Sequence, residues 1–167
     1  MKKPWSWLGL ILGSGVIIFL LWILLPFVVN RTSHDLSPLV PTSTGNIPVL
    51  PDPSLMPPKL MKTGAFMTRA HDTSGLAQLI ETNSGTLLRL ENLDTLNGPD
   101  LRVYLATDET ASESLDLGQL KANRGDMNYV IPDDTDLNKY PYVLIWCRAF
   151  SVLFGSAELE AMVTITP

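Results

Sequence analysis

The chain has 167 residues, with 12 Lys and Arg against 17 Asp and Glu, a net charge of −5, and one cysteine. This acidic balance excludes nucleic acid and anionic lipid as partners held by bulk charge, since both require a basic surface that displaces counterions. The lone cysteine excludes any intramolecular disulfide.

From Trp5 to Val29 the chain is uncharged throughout, WSWLGLILGSGVIIFLLWILLPFVV, and Lys2 and Lys3 precede it. At about 1.5 Å per helical residue this run reaches past a hydrocarbon core of about 30 Å, so residues 5–29 are expected to form a single transmembrane helix with some tilt. The run exceeds the roughly 7–15 apolar residues of a cleaved signal peptide and ends without a small-residue cleavage site, so the anchor is expected to stay attached. The lysines place residues 1–4 in the cytoplasm and everything after Asn30 outside, making a single-pass protein with an extracytoplasmic or extracellular domain.

Between Pro38 and Pro58 lie seven of the chain's 13 prolines, interleaved with Ser, Thr and Gly. Residues 30–59 therefore read as an extended linker that holds the following domain off the bilayer. His34 lies in it and is expected to be solvated.

Residues 60–167 suffice for one domain with a small core. They carry eight basic against 15 acidic residues, a net of −7. Leu76 to Thr82 and Thr86 to Asn92 flank Asn83-Ser84-Gly85 and predict a β-hairpin. Leu101 to Leu105 follows the turn-forming Asn97-Gly98-Pro99-Asp100. Ser114 to Ala122 alone has enough helical character for a short turn or helix. Met127 to Ile131, Tyr142 to Arg148, Ser151 to Phe154 and Glu158 to Thr166 complete the strands, the last with Leu159, Ala161, Val163 and Ile165 on one face. In Tyr142 to Cys147 both faces are apolar: Val143, Ile145 and Cys147 share one, while Tyr142, Leu144 and Trp146 share another that needs a cover, a ligand or a partner. The pattern predicts a mainly β fold, an antiparallel β-sandwich with a small β-barrel as the alternative.

The ordered set Gly64-Ala65-Phe66, His71 with Gly75, Leu88 to Asn92, Asn97-Gly98-Pro99-Asp100-Leu101, Tyr129, and Ile145-Trp146-Cys147 followed by Phe150, Val152, Phe154-Gly155 and Ala157 resembles the DM-thirteen domain, a proposed electron-transfer relative of the DOMON domain. The resemblance covers Leu60 to Ile165. It implies a β-sandwich displayed outside the membrane with a cysteine suspected of redox or ligand chemistry. It carries Cys147 and His71 over as redox or ligand candidates. Met67, Met127 and Met162 are not carried over, although haem-binding DOMON relatives use His and Met as axial ligands.

Each candidate has a plainer alternative. Cys147 is more simply read as a small hydrophobe in the core, where burial suppresses thiol reactivity. His71 is more simply read as a loop histidine hydrogen-bonded beside Asp72 or Ser74. Asp133, Asp134 and Asp136 are clustered carboxylates of the kind that suits a hard cation, yet they lack the spacing of an EF-hand loop. There is no GxSxG elbow and no zinc-ligand set, which argues against hydrolysis. No catalytic residue is assigned, and the cofactor stays open between a haem, a metal and none. The chain therefore reads either as a membrane-tethered redox or cofactor-binding module with a protein redox partner, or as a noncatalytic surface module for adhesion to a protein or carbohydrate.

Overall fold

The computed structural model describes residues 30–39 and 56–162. The expected anchor at 5–29, much of the expected linker and the end of the last expected strand lie outside the described residues. Among those described, no helix is long and apolar enough to cross a membrane, and every regular element is a strand.

Ten strands form: β1 Thr32–His34, β2 Lys59–Thr68, β3 Thr73–Thr82, β4 Gly85–Thr95, β5 Leu101–Ala106, β6 Ser114–Gln119, β7 Arg124–Val130, β8 Tyr142–Cys147, β9 Val152–Glu158 and β10 Glu160–Ala161. They make one sheet in the order β1-β7-β4-β3-β2-β9-β8-β5-β6, with β10 alongside β2. All pairs are antiparallel except β1 with β7. The two layers expected of a sandwich are thus two halves of a single sheet curled into a half-barrel, and the barrel does not close, because β1 and β6 stand at opposite ends of the path.

Strand β2 is the seam. Its first part pairs with β3, and its last three residues, Phe66 to Thr68, pair with β9. Period-two alternation then fills the concave side. Ala77 and Leu79 of β3, Leu88 and Leu90 of β4, Val103 and Leu105 of β5, Met127 of β7, and Val143, Ile145 and Cys147 of β8 all enter one cluster with no exposure. Burying each large aliphatic side chain contributes about 1.5–3 kcal/mol, and this common core holds the two halves together.

The other face of β8 also finds a cover. Leu144 packs with Tyr104 and Ala106, flanked by Tyr142, Trp146, Leu153 and Ala111, and the Tyr104 and Trp146 rings stack at 6.5 Å. Ala111 belongs to the β5–β6 loop. Asp108 shapes that loop by accepting the Thr110 N–H at 2.8 Å. Glu109 straps it down, accepting the Ser156 hydroxyl at 2.7 Å and pairing with Arg69.

Three expectations require correction. Ser114 to Ala122, expected to be a short turn or helix, is strand β6 over most of its length, paired with β5. Its Leu115 and Leu117 alternate onto the core, and that packing outweighs local propensity. In the last expected strand Leu159 is buried but Ala161 is exposed, because Glu160 and Ala161 leave the core to pair with Thr63 and Lys62. The third correction concerns the linker, whose first residues belong to the sheet. Thr32, Ser33 and His34 align in parallel with Arg124, Gly125 and Asp126. The Arg31 N–H donates to Asn123 Oδ1 at 2.7 Å. The Asp35 carboxylate accepts the Asn128 N–H at 2.9 Å and meets Lys121 Nζ at 3.1 Å.

The Asn128 N–H, with help from Lys121, holds the Asp35 carboxyl below the ordinary aspartate value against the opposing effect of burial. A depressed folded-state pKa contributes stability that is fully present above the unfolded value, about pH 4, and is lost as pH falls through the folded value. Acidification below about pH 4 is therefore expected to loosen β1 first. Amide exchange at Asn128 is the check, and protection that stays constant through this range would contradict it.

Candidate functional site

Pairing registers bring many strand ends to one end of the sheet. Thr73 opposes Thr95, Asp94 opposes Arg124, and Arg124 opposes Thr32. On the other half Thr68 opposes Gly155, Leu101 opposes Cys147, and Cys147 opposes Val152. The loops 69–72, 96–100, 120–123 and 148–151 therefore share this end, and with them come His71, the Asn97-Gly98-Pro99-Asp100 turn and the end of the Cys147 strand.

Hydrogen bonds fasten these parts to one another. The Arg148 N–H donates to the Asp100 carbonyl at 2.9 Å, and its Nε donates to Asp100 Oδ2 at 2.7 Å. Gly98 lies so close to the core that an added Cβ would stand 3.1 Å from Leu101 and 3.2 Å from the Phe154 ring. The turn is thereby pressed onto the residue that faces Cys147 across the ladder. The Phe150 N–H returns to the Cys147 carbonyl at 3.3 Å, and Ser151 closes the hairpin in a left-handed conformation with φ 53°.

Cys147 has no exposed surface and sits in the main apolar cluster with Leu101, Ile145 and Phe154. His71 is half-buried. Its ring packs on Phe154 with centroids 4.1 Å apart and a tilt of 54°. Its N–H meets the Phe154 carbonyl at 3.4 Å, and its own carbonyl accepts the Thr73 hydroxyl at 3.0 Å. His71 is therefore hydrogen-bonded in its loop through its backbone, while its ring makes the aromatic contact. His71 and Cys147 thus belong to one end of the sheet and both border the Phe154 environment, yet no hydrogen bond joins imidazole to thiol among the described residues.

The surroundings of Cys147 do not form a cluster of ligands for a bare metal ion. The thiol is enclosed by apolar side chains, and among the described residues no three His, Cys, Asp or Glu side chains are grouped to hold a metal. Asp133, Asp134 and Asp136 lie at the far end of the sheet, between β7 and β8, and are exposed. Asp136 Oδ1 is engaged by the Asn138 N–H at 2.9 Å. Of the methionines, Met127 fills the core, while Met67 and Met162 are exposed.

Sequence reasoning missed a buried polar network at the same end. Thr73 and Thr95 share a hydroxyl–hydroxyl bond of 2.9 Å, and Asn123 Nδ2 donates to the Thr95 carbonyl at 3.0 Å. All three residues are buried. Single polar residues where apolar strands end carry no periodic signal, so only the fold reveals that they meet. Beside them opens a cleft of about 350 Å³, lined by Thr68, Thr73, Thr95, Leu96 and the Asp94–Arg124 pair, in which Arg124 Nε stands 2.9 Å from Asp94 Oδ1.

A family model described as electron transfer DM13 matches residues 65–159, from the middle of β2 to the residue after β9. No curated protein and no solved structure matches the chain significantly.

Proposed function

Because the chain belongs to the DM13 electron-transfer family, we propose that it is a membrane-anchored, extracytoplasmic redox module with Cys147 as its reactive group and His71 as a neighbour that tunes the local environment. The observation that carries this reading is the clamp between Arg148 and Asp100, which fixes the NGPD turn against the strand end bearing the chain's lone cysteine. An oxidising compartment outside the cytoplasm suits thiol–disulfide chemistry. The Cys147 thiolate would attack a partner's disulfide, form one mixed S–S bond and release the partner's other sulfur as a thiolate. With a single cysteine the chain has no resolving thiol of its own, so the second thiol comes from the partner.

Burial sets the condition for this chemistry: the 148–151 hairpin must open before the thiol is reached. The same burial favours the competing reading, in which Cys147 only packs and the module presents its surface to a protein or carbohydrate ligand. Glutathione redox buffer and intact-mass spectrometry of the full-length protein separate the two. The redox reading expects one glutathione adduct forming much faster than global unfolding, absent from a Cys147→Ala variant that keeps its fold. An adduct that forms only at the rate of unfolding would establish the packing role. On either reading Cys147→Ser is expected to cost about 1–3 kcal/mol, since it buries a hydroxyl among apolar side chains.

A further inference from the structure

We propose that the cleft beside the Thr73–Thr95 pair is a binding site for an alkylammonium group, a primary ammonium on an apolar stem of the kind that a lysine side chain of a protein partner or a free polyamine presents. The site uses no atom of Cys147, so it goes beyond the redox reading and stands whether that thiol reacts or only packs. The cleft holds about 350 Å³, and Asp72 and Ser74 complete the lining already described.

The positions of the hydroxyl protons decide the class of ligand. Thr73 Oγ1 donates to the His71 carbonyl at 3.0 Å, so in its 2.9 Å bond with Thr95 it must accept, and Thr95 is the donor. Thr68 Oγ1 donates to the Thr73 carbonyl at 3.2 Å. A hydroxyl has one proton to give, so all three threonine protons are spent inside the fold and only lone pairs are left for a ligand. Two carboxylates add further acceptors. Asp94 is paired with Arg124, whereas none of the ion pairs among the described residues takes Asp72. The lining thus sets two carboxylates against one guanidinium, within residues 60–167 that carry 15 acidic against eight basic side chains, and this field draws a cation. With Asp94 Oδ1 engaged by Arg124, the remaining acceptors are single oxygens on different residues. That arrangement suits the three separate donors of an ammonium better than the planar fork of a guanidinium. Leu96, 53% exposed, supplies an apolar wall along which a methylene stem lies.

Titration of the isotope-labelled full-length chain, in a zwitterionic detergent, with Nα-acetyl-lysine methylamide tests this through its amide chemical shifts. Saturable shifts confined to residues 68–74 and 94–96 are expected, with a Kd on the order of millimolar, because an exposed ion pair contributes little. Asp72→Asn is expected to weaken binding several-fold, and Arg124→Gln to tighten it several-fold by freeing Asp94. Asp134→Asn, at the far end of the sheet, is the control for bulk charge and is expected to leave the Kd unchanged. All three residues are exposed, so the variants keep the fold, and unshifted amides on β8 verify it. Spermidine binding about tenfold tighter than the lysine amide would assign the site to a free polyamine, and a similar affinity would assign it to a partner's lysine. The absence of saturable shifts with either amine would overturn the proposal, as would equal binding of the uncharged norleucine analogue or a Kd that neither site variant moves. Tighter binding of Nα-acetyl-glutamate methylamide would make this an anion site and overturn it as well.

Discussion

Arg89→Ala is expected to destabilise the domain by about 3–5 kcal/mol, a large share of the stability of an ordinary small domain. Arg89 is only 3% exposed, in the middle of β4. Its Nη1 donates to the Asp35 carbonyl at 3.0 Å and to Asn128 Oδ1 at 3.1 Å. Asp126 lies 3.4 Å from Nη2, and Glu91 lies 3.5 Å from Nε, which has no closer partner. Truncation leaves two partly buried carboxylates without their cation and removes a donor shared by β1 and β7. Arg89→Lys restores the charge but not the planar fork, so it is expected to recover only part of the loss. Urea denaturation measures both variants, and a midpoint unchanged in Arg89→Ala would reduce this cluster to a surface ion pair.

Gly125→Val is expected to release β1 while leaving the rest of the sheet folded. Gly125 has φ +101°, a conformation that side-chain-bearing residues rarely adopt, and a Cβ there would collide with the Ser33 carbonyl. Three residues of β1 cannot absorb both the backbone strain and the collision, whereas the β4–β7 ladder is held along five further residues of β7. Limited trypsin digestion is the check. Cleavage after Arg31 should become fast in the variant, with the core protected as in the wild type, and an unchanged rate would show that β1 tolerates the added side chain. The Arg89 and Gly125 substitutions both act on the segment 31–36, so their effects are expected to be non-additive.

These two sites also mark what sequence reading reaches and what it does not. The β3–β4 hairpin and β7 were legible from alternation and turn residues, β5 and β8 as short apolar runs bounded by turns, and the covered second face of β8 followed from Leu144 and Trp146. Strand β1 was illegible because Thr32-Ser33-His34 joins through backbone bonds and contributes no apolar side chain to the core. Strand β2 was largely hidden because it crosses from one half of the sheet to the other, so its inward positions shift along its length. In β6 the short apolar run fits both periods, and only pairing with β5 decides between them. At the site, the likeness of the Cys147 and NGPD segments to one family was visible, but the Arg148–Asp100 bond and the Thr73–Thr95–Asn123 network require the fold.

The seam at β2 has a consequence for the order in which the molecule forms. The chain is made from its N-terminus, yet Phe66 pairs with Ala157 and Thr32 with Arg124. Strand β1 and the last three residues of β2 must wait for partners roughly 90 residues behind them. The β3–β4 hairpin forms early and locally, while the two halves join only once β9 is complete. Such distant pairings favour slow folding, on the order of milliseconds to seconds. During that interval the unpaired edges of β2 and β7 are open to other chains, and docking of β1 is the step that ends the exposure at β7.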